Sequence, residues 1–227
     1  MLTKTRLRLW GIIARRHPSA FLLAAQLLSL LVYPLIDDTH GGRLLFGAMA
    51  LVVVPLTVWV VNRSPFMSTV AWLLAIPAML CTVIGILFER TTLLPISAVL
   101  ESLLYFYAAG GLIAYMLRDH RVTSDELFAA GATFTLLAWG FAYAYFACQA
   151  WVPGSFTGLE PERPRRWLEL LFYSFSNLSA TGLGDVLPVS SAARVLTMLE
   201  QFAGVGYVAT VVSRLIGLTV LRHERRG

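Results

Sequence analysis

The sequence has few charged residues, and this shortage excludes a soluble domain. Asp, Glu, Lys and Arg make up only 14% of the 227 residues, whereas 57% are hydrophobic and the mean hydropathy is +0.70. A chain of this composition cannot cover itself with a polar surface, so we expect an integral membrane protein in a lipid bilayer. The formal charge of +5 does not indicate nucleic-acid binding, because the basic residues lie in short loops between apolar runs.

Cysteine and clustered polar side chains are also scarce. Cys81 and Cys148 both fall inside apolar runs, without the spacing of a metal site or a disulfide framework, so we interpret them as buried, inert thiols. A membrane enzyme needs several catalytic groups close together at membrane depth, but only these cysteines and the scattered Glu101 and Glu200 are present there. An enzyme is therefore disfavoured, and no cofactor is expected.

The first half of the chain lacks the repeated arginines of a voltage sensor. Its fourth apolar run, Leu93–Leu117, carries Glu101 as its only charge. We therefore predict that residues 1–120 form a four-helix membrane scaffold and that residues 121–227 form a second domain. Glu101 either faces a partner in a crevice between helices or lies near the outer interface.

Six apolar runs are each about as long as a spanning helix: Pro18–Ile36, Leu44–Val61, Thr69–Phe88, Leu93–Leu117, Leu127–Trp151 and Val195–Leu221. No small-residue cleavage site follows the first run, so we expect it to be retained as a helix rather than removed. Six spans put both termini on one side, and most Lys and Arg lie in the segments assigned to that side, which predicts cytoplasmic termini. No cytoplasmic ligand-binding domain is expected after the last run.

The fifth run has helix signals at both ends. Thr123, Ser124 or Asp125 can cap its start, where acidic residues are favourable in the first turn. Tyr145 and Trp151 suit the outer membrane interface, and Pro153-Gly154 ends the helix ahead of a polar outer segment, residues 155–166.

A glycine-containing loop interrupts the apolar pattern of the second half. It runs from Asn177 to Pro188 and lies between an aromatic helical run, Trp167–Ser176, and the last apolar run. Irregular backbone at membrane depth is tolerated only where protein or a water-filled path surrounds it. Gly182 and Gly184 permit backbone angles that turn successive carbonyls to one side, and a row of carbonyls can replace the water shell of an ion.

This arrangement resembles the pore of tetrameric potassium channels, especially small bacterial ones. The similarity rests on Ser-Ala-Thr-Gly-Leu-Gly-Asp between two apolar helices, and on Val122-Thr123-Ser124-Asp125 and Pro153-Gly154-Ser155-Phe156, over roughly residues 121–218. It implies an all-α membrane protein with six transmembrane helices and a re-entrant pore helix and filter loop between the fifth and sixth. No internal repeat is present, so one pore would need about four subunits, a homotetramer. The resemblance also implies the bacterial inner membrane and potassium as the permeant ion.

The resemblance assigns the filter to the loop. Aligned with Thr-Val-Gly-Tyr-Gly-Asp, the chain has Ala180, Thr181, Gly182, Leu183, Gly184 and Asp185, and the first four of these would bind K+ through their backbone carbonyls. Ala180 lacks the hydroxyl of the family's threonine, and Leu183 lacks the phenol of its tyrosine. The hydroxyl of Thr181 requires a partner behind the filter. These departures predict a potassium-permeable cation channel of reduced selectivity over sodium; the alternative is a non-conducting regulatory or structural pore homologue.

Several residues around the filter receive roles from the same resemblance. Phe172 and Tyr173 correspond to aromatics that pack behind the filter, a position that ordinary core aromatics would also fill. Ser176 and Asn177 either bind the filter amides or Asp185, or cap the helix end. Glu200 either pairs with Arg194 or lies behind the filter.

The last helix contains candidate gate residues. Gly204 aligns with the family's hinge glycine and Gly206 adds a second flexible point, or else these small residues permit close helix packing. The residues predicted to form an apolar wall of the inner cavity are Val205, Val208 and Val212.

Overall fold

A computed structural model describes residues 18–32, 55–58, 65–88, 90, 92–118, 123–160, 163–214, 216–217 and 220. The main helices are α1 Pro18–Val32, α2 Pro65–Leu87, α3 Leu93–Met116, α4 Ser124–Trp151, α5 Trp167–Leu178 and α6 Ser191–Tyr207, and α6 continues into a π-helix, Val208–Val212. Two short strands are β1 Phe156–Thr157 and β2 Leu187–Pro188. The predicted span Leu44–Val61 lies outside the described residues except for residues 55–58.

Four of the described helical segments are long and apolar enough to cross a membrane: Thr69–Leu87, Leu93–Met116, Ser124–Trp151 and Ser191–Val212. Helix α1 is apolar but has 15 residues, fewer than the roughly 20 that a straight span needs. Within the described ranges the only strands are the two-residue pair, so the prediction of an all-α integral membrane protein is confirmed. The count of six spans stays a prediction.

Helices α3 and α4 pack against each other through aromatic rings and one close backbone approach. The Ser102 hydroxyl on α3 donates to the Gly140 carbonyl on α4 at 2.8 Å. A Cβ at Gly140 would lie 2.9 Å from the Phe106 ring, so the glycine lets the two helices meet closely. The rings of Tyr105 and Trp139 meet edge to face with centroids 6.0 Å apart. This contact joins the predicted scaffold to the second domain.

Asp125 joins the start of α1 to the start of α4. The backbone amide and the hydroxyl of Ser19 donate to the two carboxylate oxygens of Asp125 at 3.1 and 3.2 Å. Farther along both helices, a Cβ at Gly131 would lie 2.9 Å from Leu23, so α1 and α4 run in the same direction. The carboxylate thus lies where the positive end of α1's dipole favours it.

The start of α4 is capped as its sequence predicts. Thr123 is the N-cap residue, and its hydroxyl accepts from the Glu126 amide at 3.3 Å. The Glu126 carboxylate accepts in return from the Thr123 amide at 3.0 Å. This reciprocal pair satisfies two backbone donors that the first helical turn leaves open.

Glu101 lies buried between α2 and α3. Its Oε1 accepts from the Thr82 hydroxyl on α2 at 3.1 Å. A Cβ at Gly85 would lie 3.0 Å from Leu94, so the two helices also approach closely near the turn that joins them. The structure therefore places Glu101 in a crevice between helices with a partner, the first of the two alternatives.

Helix α6 returns antiparallel along α4. The Tyr207 hydroxyl donates to the Ala130 carbonyl at 2.6 Å, near the start of α4. Farther toward the same end, Arg214 Nη1 donates to the Met116 carbonyl at the end of α3 at 2.7 Å. Helix α5 packs against α4 on the side away from the start of α4. There the rings of Trp167 and Trp139 have centroids 5.3 Å apart and are nearly perpendicular.

Candidate functional site

The chain enters the bundle along α5 and leaves it through the glycine loop. A Cβ at Gly204 would lie 2.0 Å from the carbonyl oxygen of Leu178, so the end of α5 touches the span Ser191–Val212 near its middle. After the loop, β2 pairs antiparallel with β1, which follows the end of α4. The loop therefore begins at membrane depth and returns toward the side from which α5 entered.

The loop backbone alternates between left-handed and ordinary residues. Ala180 has φ +57°, Gly182 has φ +66° and Gly184 has φ +151°, whereas Thr181 and Leu183 have negative φ. A backbone that alternates in this way can turn successive carbonyls to the same side. Ala180 adopts this conformation although it carries a Cβ, which costs roughly 1–2 kcal/mol relative to a right-handed residue.

The loop is anchored to the last turn of α5 through the Asn177 carbonyl, which accepts from the Ala180 amide at 3.0 Å, and above all through the Ser176 carbonyl. Ser176 O accepts from the Thr181 amide at 3.0 Å, from the Gly182 amide at 3.2 Å and from the Thr181 hydroxyl at 3.2 Å. The Thr181 hydroxyl also lies 3.1 Å from that of Ser179. This threonine hydroxyl therefore has the partners that its position behind the loop requires.

The side chains of Ser176 and Asn177 do not bind the loop amides. The side-chain Nδ2 of Asn177 donates to the Tyr173 carbonyl at 2.8 Å, and its Oδ1 accepts from Gln201 Nε2 on α6 at 3.0 Å. The Ser176 hydroxyl is buried without a hydrogen-bond partner in the described part of the chain. Asp185 is exposed at the far end of the loop. Asn177 thus ties α5 to α6, and Ser176 serves the loop through its backbone.

The two α5 aromatics that were assigned to the wall behind the filter, Phe172 and Tyr173, occupy different surroundings. Tyr173 is buried, its hydroxyl lies 2.7 Å from the Thr197 hydroxyl on α6, and its ring lies 5.2 Å from that of Tyr145. Phe172 is half exposed and lies beside Gly184, where a Cβ would be 3.7 Å from its ring. Leu183 is 69% exposed in the isolated chain. Only Tyr173 belongs to the packed wall behind the loop.

Glu200 lies at the meeting point of three helices. It is fully buried on α6, its Oε2 accepts from the Tyr145 hydroxyl of α4 at 2.5 Å, and its Oε1 contacts the Ser174 hydroxyl of α5. Arg194 donates instead to the Pro188 carbonyl at 3.3 Å. Of the two alternatives, the structure therefore places Glu200 behind the loop rather than in a pair with Arg194.

Gly204 and Gly206 differ in what surrounds them. The backbone of Leu178 occupies the position of a Gly204 side chain, whereas among the described residues no atom outside the helix's own neighbouring backbone lies within 4 Å of a Cβ at Gly206. Close packing against the end of α5 therefore explains why position 204 is a glycine. The π-helix Val208–Val212 follows directly, an irregularity that often occurs at functional positions in helices.

One face of α6 is apolar and is not covered by the part of the chain that the structure describes. Phe202 is 80% exposed, and Val205 and Val208 are also exposed, whereas Val212 is half buried and packs against the core shared with α3 and α4. The loop lies at the same level as this face, since α5 ends beside Gly204 of α6. An exposed loop and an exposed apolar face at one membrane depth indicate a shared surface.

Several polar residues at this site were not identified from the sequence as functional. Ser174 and Gln201 received no role, and Tyr145 was expected at the outer interface but is buried against Glu200. Polar side chains on apolar helices are the signal that could have indicated them, because such groups need partners at membrane depth. The sequence pattern shows that they need partners but not which ones.

The segment before α5 is held by a guanidinium and a carboxylate. Arg163 donates to both oxygens of Glu169 at 2.7 and 2.8 Å, and the Arg166 amide donates to Glu169 Oε2 at 2.5 Å. Burial raises the pKa of the Glu169 carboxyl, but the hydrogen bonds from Arg163 and Arg166 outweigh it and leave the pKa below its ordinary value. Glu169 therefore caps the start of α5 as a carboxylate.

The stability that this pair contributes should depend on pH. Because folding lowers the pKa of Glu169, the contribution is complete above the unfolded value of about 4.5 and is lost as the pH falls through the folded value. Arg163→Gln should lower stability at neutral pH by less than about 1 kcal/mol, because the pair is partly exposed. Thermal unfolding of both proteins should give midpoints that converge in acid. Glu160→Gln, a more exposed partner of Arg163, is the matched control with a smaller effect; midpoints that stay equally far apart in acid would contradict the assignment.

The fold is that of an integral membrane protein of packed apolar helices, with a loop of irregular backbone held at membrane depth. A family model for ion channels matches residues 102–220, which is more than half of the chain. The chain belongs to this ion channel family.

A curated relative is similar over part of the chain. The calcium-gated potassium channel TvoK of Thermoplasma volcanium is 31% identical over 64 residues, which cover 28% of this chain and 18% of that protein. The chain thus spans less than a fifth of that relative's length. No solved structure matches the chain.

Proposed function

We propose that this protein is a potassium-permeable cation channel in which ions pass along the backbone carbonyls of Ala180, Thr181, Gly182 and Leu183. The observation that carries the proposal is the alternating backbone of the loop, since left-handed residues at alternate positions permit successive carbonyls to turn to one side. Family membership and the similarity to a potassium channel support the same ion class. Carbonyl oxygens in a row can replace the water shell of a cation.

The electrostatics of α5 favour a cation at the inner end of the loop. Helix α5 ends at Leu178 beside Gly204, near the middle of the last span. The C-terminal end of a helix carries a partial negative charge, and in a membrane interior this charge is weakly screened. Asp185 adds a carboxylate at the other end of the loop, where it is exposed.

The pore requires more than one copy of the chain. The loop Ser179–Asp185 is exposed in the single chain, and exposed irregular backbone is not tolerated against lipid. The uncovered apolar face around Phe202, Val205 and Val208 lies beside it. A homotetramer around one axis would enclose both, with Val205 and Val208 lining a cavity below the loop. Chemical crosslinking in membranes should then produce species up to four chains.

The remaining assignments complete the proposal. Residues 1–120 serve as a membrane scaffold and residues 121–227 form the pore domain, in a bacterial inner membrane with both termini in the cytoplasm. Helix α3 packs against α4 through the Ser102–Gly140 hydrogen bond, and this contact supports a scaffold that braces α4, the outer helix of the pore. The proposed channel has no enzymatic activity.

Selectivity should respond to the two side chains that depart from the family pattern. Ala180→Thr restores hydroxyl oxygens at the inner end, and Leu183→Tyr restores a phenol that can tie the loop to its surroundings. We expect Leu183→Tyr to raise the potassium-to-sodium permeability ratio by about fivefold, which corresponds to roughly 1 kcal/mol, the net contribution of one hydrogen bond. Ala180→Thr should raise it less, because it places a β-branched residue at φ +57°. Reversal potentials under potassium and sodium on opposite sides of a bilayer measure this ratio.

The matched control for this experiment is Leu187→Tyr. It makes the same substitution at another exposed leucine, in β2 and outside the exposed stretch Ser179–Asp185. It should leave the ratio unchanged. If the wild-type protein already discriminates as strongly as the Ala180→Thr and Leu183→Tyr variants, the proposal of reduced selectivity is wrong.

A further inference from the structure

The buried Glu200 carboxyl belongs to a chain of hydrogen bonds that crosses three helices. Tyr145 on α4 donates to one carboxyl oxygen at 2.5 Å, and Ser174 on α5 contacts the other. The Ser174 hydroxyl also lies 2.7 Å from the Ala138 carbonyl on α4, in donor geometry. The series of hydrogen bonds therefore runs from Tyr145 on α4 through Glu200 on α6 to Ser174 on α5, and from there back to α4.

The number of protons available in this chain of hydrogen bonds favours one state of Glu200. A serine hydroxyl has one proton and can donate it once, and a backbone carbonyl can only accept. The Ser174 hydroxyl lies in donor geometry to both Ala138 O and Glu200 Oε1 but has one proton, so when it donates to Ala138 O the contact with Glu200 needs a proton from the carboxyl. With Glu200 protonated, Tyr145, Glu200 and Ser174 each donate once and every contact is satisfied.

The surroundings provide no counter-ion for a carboxylate. Among the described residues, no cationic side chain forms an ion pair with Glu200, and Arg194 is turned to the Pro188 carbonyl. The titratable groups that face it are Tyr145 from α4 and Tyr173 from α5, which have no positive form. An unpaired charge at this depth would be costly, so the neutral acid agrees with the proton count.

We infer that Glu200 is a protonated carboxylic acid that positions α5, and through it the filter loop, against α4 and α6. The inference rests on the proposed function in taking the loop as the filter. Its physical link is short: Ser174 lies two residues before Ser176, whose carbonyl holds the amides of Thr181 and Gly182. Glu200 is a positioning residue, because it acts on the ion path only through α5.

The protonation state is tested by infrared difference spectroscopy of the purified full-length protein in lipid at neutral pH. Subtracting the spectrum of Glu200→Gln should reveal the carbonyl stretch of a protonated carboxylic acid in the wild type. Thr197→Val, which removes the neighbouring contact with Tyr173, should keep this band. A carboxylate band in its place in the difference spectrum would overturn the inference.

The positioning role is tested by hydrogen–deuterium exchange of the peptide that contains residues 176–185. Gln carries an N–H donor and an acceptor and can repeat both contacts of the acid, so Glu200→Gln should leave exchange unchanged. Glu200→Leu should speed exchange about tenfold or more, since it leaves buried polar groups without partners. Ser174→Ala should act in the same direction and provides a second variant if the leucine variant does not fold. Equal exchange in all four proteins would overturn the positioning role.

These readouts separate the inference from the proposed function. Both the infrared band and the exchange rates are measured without ion flux. If the band and the exchange pattern are found but no cation flux occurs, the proposed function fails and the role of Glu200 stands. If cation flux occurs but the infrared band is absent, the proposed function stands and the protonated state of Glu200 is wrong.

Discussion

Gly204→Ala is expected to cause the largest loss of folded protein. The added methyl carbon would lie 2.0 Å from the Leu178 carbonyl oxygen and 2.8 Å from its carbonyl carbon, closer than real Cβ atoms approach. The obstacle is backbone at the end of α5, so no side-chain rotation relieves it. Overpacking of this kind costs about 1–3 kcal/mol, and a backbone obstacle places the cost at the upper end. The thermal unfolding midpoint and the yield of folded protein measure the loss.

Gly206→Ala provides the matched control two residues along the same helix. In the part of the chain that the structure describes, no other segment comes within 4 Å of a Cβ at Gly206, and alanine is the better helix former by up to about 1 kcal/mol. This variant should be as stable as the wild type or more stable. Equal destabilisation by the two substitutions would contradict close packing at Gly204 and would favour a shared requirement for a flexible hinge.

Gly182→Ala is expected to abolish ion flux while the protein still folds. Gly182 has φ +66°, where a residue with a Cβ pays roughly 1–2 kcal/mol, and the space around it is open. The strain is relieved if the residue leaves the left-handed region, which rotates the carbonyls on either side of it. We expect potassium flux in liposomes to fall at least about tenfold, because a change of about 1.4 kcal/mol already gives that factor in rate.

Gly154→Ala separates strain from function. Gly154 has φ +78° and equally open surroundings, but it lies in the turn after α4, outside the loop. The two alanine variants should lose similar stability, whereas only Gly182→Ala should lose flux. Loss of flux in both would show that the effect arises from general destabilisation rather than from carbonyl orientation.

The sequence predicts those features that depend on composition along the chain. Length and apolarity locate the spans that the structure describes, because the bilayer sets the length of a helix. The capping box at Thr123 and Glu126 is likewise local, since both partners lie within one helical turn. The loop position follows from two glycines between apolar runs, and the structure gives both of them positive φ.

Features that depend on which helices meet could not be predicted in the same way. Asn177 binds Gln201, and Glu200 binds Tyr145 across 55 residues of sequence. Each polar group on these helices needs a partner, but several are available at the same depth. The packing of α4, α5 and α6 selects among them. The role of Gly204 was open for the same reason, because the obstacle belongs to the backbone of another helix.

Cation flux through the purified protein in liposomes, driven by a potassium gradient and then by a sodium gradient, tests the central proposal most directly. We predict rapid potassium flux and slower but measurable sodium flux, both removed by Gly182→Ala. No flux in either salt from protein that assembles into tetramers would contradict a conducting filter and would favour a regulatory or structural pore homologue.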